Sequence, residues 1–149
     1  MERRICGPRE SDTARIGARL AALLGAPAFV ALYGELGAGK TALVRGLGGA
    51  LGVRDVTSPT FTILCEYDTS PRLVHMDAYR LSGAEELFAI GFEEYLAEPA
   101  LLLLEWAERV PEALPTERLD IYIEGSGDEP RALRLVARGE RYERVVAAL

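Results

Sequence analysis

Apolar residues recur every three or four positions in "SDTARIGARLAALL" (11–24), where Ile16, Leu20, Leu23 and Leu24 share one helical face. That period predicts an amphipathic helix, with Ser11 or Asp12 as its N-cap. "AFVALY" (28–33) is apolar almost throughout, as in a short strand buried on both faces. After a glycine-rich stretch, Leu43, Val44, Leu47 and Leu51 return to helical spacing. Gly46, Gly48 and Gly49 each weaken that second helix by up to about 1 kcal/mol.

"FTILCEY" (61–67) and "RLVHMDAY" (72–79) flank the polar "DTSP" and predict an antiparallel hairpin. Ser82 and Glu85 have the spacing of a capping box and open a helix running toward Phe88. "ALLLLEW" (100–106) predicts a second buried strand. "LDIYIE" (119–124) and "ALRLVAR" (132–138) alternate as strands joined through "GSGDEP", and "ERYERVVAAL" reads as a terminal helix. Strands interleaved with helices give an α/β fold, with a mixed central β-sheet flanked by helices.

The chain has 149 residues, the length of one domain, and two domains would each have a poor core. Its 49% hydrophobic and 27% charged residues are the balance of a soluble globular protein. No apolar run approaches the roughly 20 residues that span a bilayer, and "MERRICGPRE" lacks the apolar stretch of a secretory signal. Cys6 and Cys65 lie far apart without metal-ligand spacing, as for two reduced thiols in a cytoplasmic protein. A net charge of −6 excludes a general nucleic-acid footprint.

Sixteen of the seventeen cations are arginines, and the single lysine is Lys40. A compact ammonium on a flexible stem has been kept where arginine's planar fork is a poor replacement. Lys40 stands in "GELGAGKT" (34–41), which fits G-x-x-x-x-G-K-[ST] at every defined position, with a predicted strand before it and a helix after. This is the P-loop of a P-loop NTPase fold. Gly34, Glu35, Leu36, Gly37, Ala38 and Gly39 would turn backbone N–H groups onto nucleotide phosphates, aided by the following helix N-terminus. Lys40 would reach the β- and γ-phosphates and the Thr41 hydroxyl would ligate Mg²⁺.

Such a site needs a carboxylate near the metal, and two acids close apolar strands: Glu105 in "LLLLE" and Asp77 in "LVHMD". His75, the only histidine, reads by itself as a hydrogen-bonded core residue, and Trp106 as packing. "TSPTF" (57–61) lies where P-loop proteins often place a γ-phosphate-sensing switch, with Thr60 as the candidate.

"GELGAGKT", "TSPTF", "HMDAYRL", "GFEEYL", "LLEW" and "LP…LDIYI", in this order and at these spacings, resemble the bacterial TsaE family over nearly the whole chain. The resemblance implies a cytoplasmic ATPase, residues 1–149 forming one domain. It serves threonylcarbamoyladenosine synthesis in tRNA and hydrolyses Mg-ATP so that a TsaB–TsaD complex can turn over. TsaD transfers the threonylcarbamoyl group, and tRNA is met only indirectly. By the same resemblance Thr41 and Glu105 are Mg²⁺ ligands, Asp77 an active-site carboxylate near the γ-phosphate or its water, Thr60 the switch threonine, and Arg131 a nucleotide contact. The family's tryptophan is usually followed by proline; here Ala107 follows Trp106.

Two other classes stand beside this one. A small-metabolite kinase would carry an arginine-bearing lid, whereas residues 82–98 bring Glu85, Glu86, Glu93, Glu94 and Glu98, with Arg80 just before them. The strand-end acids Asp77 and Glu105 argue against a non-hydrolysing nucleotide sensor acting as a scaffold without excluding it.

Overall fold

The computed structural model describes residues 1–6, 9–34, 40–54, 56, 63–125 and 131–149, apart from the Glu10 side chain. The elements run β1 (Glu2–Cys6), α1 (Glu10–Leu24), β2 (Ala28–Tyr33), α2 (Lys40–Ala50), β3 (Leu64–Tyr67) and β4 (Arg72–Asp77). There follow α3 (Ala84–Ala89), α4 (Phe92–Leu96), β5 (Ala100–Glu105), β6 (Arg118–Glu124), β7 (Ala132–Arg138) and α5 (Glu140–Ala148). Seven strands form one mixed sheet in the order β1-β7-β6-β2-β5-β4-β3.

The four central strands, β6, β2, β5 and β4, are mutually parallel. Antiparallel partners extend both flanks, β3 beside β4 and β7 then β1 beside β6. β5 is buried at every position, which is why its sequence shows no alternation. One sheet face carries Val30, Leu32, Leu103, Leu119 and Ile121, packed against Leu20 and Leu24 of α1, Leu43 and Leu47 of α2 and Val146 of α5. The other carries Phe29, Ala31, Met76, Leu102 and Leu104 beneath Leu87 of α3 and Phe92 of α4.

Of the α2 glycines, Gly46 has a backbone-packing reason, whereas a Cβ at Gly48 would meet the Val56 side chain at 2.4 Å and one at Gly49 nothing within 4 Å. A Cβ at Gly46 would lie 1.9 Å from Ala14 O, and one at Gly17 would lie 2.3 Å from Leu43 O. α1 and α2 therefore meet backbone to backbone, and the propensity cost at Gly46 is offset by close helix contact.

Local expectations shift in four places. α1 begins earlier than Ser11: Arg9 is the capping residue, and its backbone N–H donates to Asp12 Oδ2 at 3.0 Å. Asp12 thus serves as the third helical residue, complementing the helix N-terminus from inside. The capping pair is not Ser82 with Glu85. The Ser82 N–H and hydroxyl both donate to Glu86, because α3 starts only at Ala84 and its third residue is Glu86. β4 stops at Asp77, and the Ala78 N–H makes its last ladder bond, to Glu105 O at 3.0 Å. β5 stops at Glu105, since Trp106 takes the left-handed φ of 59°. The edge strand β1 was not predicted, because "ERRIC" has only Ile5 facing the core.

The incoming strand of the P-loop is anchored through a buried carboxylate. Asp120 is fully buried and accepts from Tyr33 OH at 3.0 Å, Arg118 Nε at 2.8 Å and Arg138 Nε at 2.5 Å. Tyr33 is the residue before Gly34, so this network fixes where β2 ends.

Candidate nucleotide site

Chain direction brings the candidate residues together at one sheet edge. β2 ends at Tyr33 and α2 begins at Lys40, so the two described ends of the P-loop, Gly34 and Lys40, face each other. The Lys40 Nζ donates to Gly34 O at 2.6 Å. Glu35, Leu36, Gly37, Ala38, Gly39 and Thr60 lie outside the described residues. Thr41 is exposed on the first turn of α2.

β5 lies between β2 and β4, and its register pairs Glu105 with Leu32 on one side and with Asp77 on the other. Both acids therefore stand at the C-terminal ends of neighbouring parallel strands. Alternation puts their side chains on the sheet face that α2 covers. Arg131 precedes β7 at the same edge, since β6 runs parallel to β2 with Tyr33 opposite Tyr122.

Lys40 is 6% exposed, and its Nζ lies 3.8 Å from the centroid of the Trp106 ring. Burial lowers the Lys40 pKa, and Glu105, Glu108 and Asp77 in turn oppose that shift. The ammonium thus sits partly desolvated between a carbonyl, an aromatic face and acids. Trp106 in turn meets Tyr79 with ring centroids 4.9 Å apart, and Arg109 lies over both rings at 5.9 and 5.3 Å.

Asp77 Oδ1 accepts the Tyr79 N–H at 2.8 Å. Burial raises the Asp77 pKa and nearby Glu105 adds to it, against the lowering effect of the Tyr79 bond. Relative to the unfolded chain the fold therefore disfavours the charged form, although His75 and Lys40 partly offset this. Asp77→Asn is expected to raise the thermal midpoint of the ligand-free protein at neutral pH. The gain should vanish as pH falls through the raised Asp77 pKa to the ordinary 3.8, where both proteins carry a neutral side chain. Melting curves across that range check it, and a gain that persists at low pH would refute this origin.

Glu105 is 7% exposed, and its Oε2 lies 2.7 Å from His75 Nε2. Among the described residues no three His, Cys, Asp or Glu side chains converge on a metal position. One hydroxyl and one or two carboxylates with substrate phosphates and waters is, however, the manner in which Mg²⁺ is held. The oxygen donors of Thr41 and Glu105 suit that ion, with the Asp77 carboxylate on the neighbouring strand.

Sequence reasoning missed the places of His75 and Trp106. His75 and Trp106 are packed, as the sequence predicts, and both also touch a proposed site residue. For His75 a signal existed, since residues 75 and 77 of one strand share a face.

The profile of the family described as "Threonylcarbamoyl adenosine biosynthesis protein TsaE" matches residues 8–133. This chain belongs to the TsaE family. The tRNA threonylcarbamoyladenosine biosynthesis protein TsaE of Bacillus subtilis is 44% identical over 129 residues, covering 85% of this chain and 80% of that protein. The TsaE protein of Treponema pallidum is 40% identical over 131 residues, covering 87% and 90%. The crystal structure of Bacillus subtilis YdiB superposes with a TM-score of 0.85 at 34% identity, covering 99% of this chain and 93% of that one. The mixed α/β sheet flanked by helices is thus a P-loop NTPase architecture. None of the described helices is long and apolar enough to cross a membrane.

Proposed function

We propose that this protein, as one domain of residues 1–149, is the ATPase subunit of the machinery that makes threonylcarbamoyladenosine in tRNA. It binds and hydrolyses Mg-ATP in the cytoplasm so that a TsaB–TsaD complex turns over, and it reaches tRNA only through those partners. The observation that carries this reading is the meeting of Lys40, Asp77 and Glu105 at one sheet edge, beside the end of β2. A sensor of Mg-nucleotide needs the lysine and one acid for the metal, whereas hydrolysis also uses a second acid to position water.

In this reading the loop 35–39 wraps the phosphates with backbone N–H groups, while Arg131 contacts the nucleotide from the far side of β2. Lys40 leaves the Gly34 carbonyl and the Trp106 ring to meet the β- and γ-phosphates, exchanging a partly desolvated resting place for full charge pairing. Thr41 and Glu105 hold Mg²⁺, which when bound supplies charge neutralisation for the transferring phosphoryl group. Asp77 orients the attacking water, and its raised pKa suits it to receive a proton. Thr60 senses the γ-phosphate.

The acidic character of residues 82–98 supports the hydrolase over a kinase. Glu85, Glu86, Glu93 and Glu94 are exposed, and Glu98 pairs with Arg72, so this segment brings no cation to clamp a phosphate. The deciding test is phosphate release from Mg-ATP by the protein alone and with TsaB, TsaD and tRNA. Slow release that changes with the partners is expected. Nucleotide binding without release in either condition would overturn the ATPase reading.

A further inference from the structure

His75 is the one histidine of the chain, it is 1% exposed, and the hydrolysis scheme leaves it without a role. Its Nε2 lies 2.7 Å from Glu105 Oε2 across the β4–β5 pair, while its Nδ1 is buried with no hydrogen-bond partner among the described residues. An apolar residue of similar size would fill this place without leaving a polar atom unmet, which costs about 1–3 kcal/mol. A core histidine kept for packing alone has no reason to carry that penalty. The contact with Glu105 gives one.

We propose that His75 is the positioning residue of the metal carboxylate: its Nε2–H donates to Glu105 Oε2, fixes the carboxylate rotamer and leaves Oε1 to face the metal and nucleotide. The inference rests on the reading of Glu105 as the metal-holding acid. The tautomer follows from the surroundings. With the proton on Nε2 the bond to the carboxylate is made and Nδ1 keeps only a lone pair, whereas a proton on Nδ1 would set two acceptors, Nε2 and Oε2, against each other. The register explains why the reach is short. His75 lies opposite Leu103 and Asp77 opposite Glu105, so His75 approaches the Glu105 carboxylate diagonally from the neighbouring strand on one face. A metal-held carboxylate that is itself hydrogen-bonded is the usual outer-shell arrangement, and losing that partner typically costs about 10–100-fold in metal affinity or activity.

Two measurements test it, one without any substitution. In ¹⁵N-histidine-labelled protein the single imidazole should show protonated Nε2 and unprotonated Nδ1; a protonated Nδ1 with bare Nε2 would overturn the proposal. In the second, calorimetric titration of ATP with and without Mg²⁺ gives the Mg²⁺-dependent tightening for wild type, His75→Leu, His75→Gln and Glu105→Gln. His75→Leu should raise the Mg²⁺ concentration for half-maximal effect by about 10–100-fold while leaving metal-free ATP affinity unchanged. His75→Gln, whose amide N–H stands near the place of Nε2–H, should recover most of it. Loss of Mg²⁺ dependence in Glu105→Gln with none in His75→Leu would overturn the role of His75 alone. Unchanged Mg²⁺ dependence in Glu105→Gln would instead overturn the metal reading beneath it. Metal-free affinity that falls together with Mg²⁺ dependence in both His75 variants would mark His75 as structural only.

Discussion

Lys40→Ala is expected to weaken ATP binding by about 10²–10⁴-fold, read as the Kd in direct nucleotide titration. Each charge-assisted hydrogen bond to phosphate contributes about 1.5–3 kcal/mol, and the ammonium would make two, which converts to that range. No other lysine is present to substitute, since the remaining sixteen cations are arginines. The ligand-free protein should not pay a matching penalty. Lys40 is 6% exposed and burial already disfavours its charge, so Lys40→Met, which keeps most of the stem, should leave the thermal midpoint undiminished. Unchanged ATP affinity in Lys40→Ala would remove the P-loop reading.

Glu105→Gln is expected to lower Mg²⁺-dependent hydrolysis by about 10–100-fold while metal-free ATP affinity changes little. The amide keeps the shape of the side chain and can still accept from His75 through its carbonyl oxygen, so strand β5 should fold as before. What it loses is the negative charge beside the proposed metal. Steady-state turnover across a Mg²⁺ series checks this, alongside the calorimetry. Full turnover in Glu105→Gln would transfer the metal role to Asp77, which lies opposite Glu105 in the register.

Lys40 was legible from a motif, because a phosphate-binding loop needs glycines, a lysine and a helix at fixed offsets. Glu105 was legible from pattern, because an apolar run ending in an acid marks where a buried strand ends, although Glu105 is itself buried. β2 and β5 were read almost to the residue for the same reason: a strand buried on both faces has an abrupt edge in composition. Elements exposed on one side or at an edge gave weaker signals. β1, with only Ile5 turned inward, was invisible, and α3 began beyond the position its capping residues suggested.

By itself the sequence determined the P-loop, the strand-end acids, the α/β class and the resemblance to one family, since each is written in local spacing or local composition. Strand order is not local. That β5 lies between β2 and β4, and so sets Glu105 beside Asp77 and within reach of His75, follows from parallel pairing of segments far apart in the chain. The same is true of Trp106 over Lys40, which needs the left-handed turn after β5 to meet the first residue of α2. Side-chain chemistry was fixed by residue type, but its strength at this edge was decided by burial and by neighbours that only the folded sheet brings together.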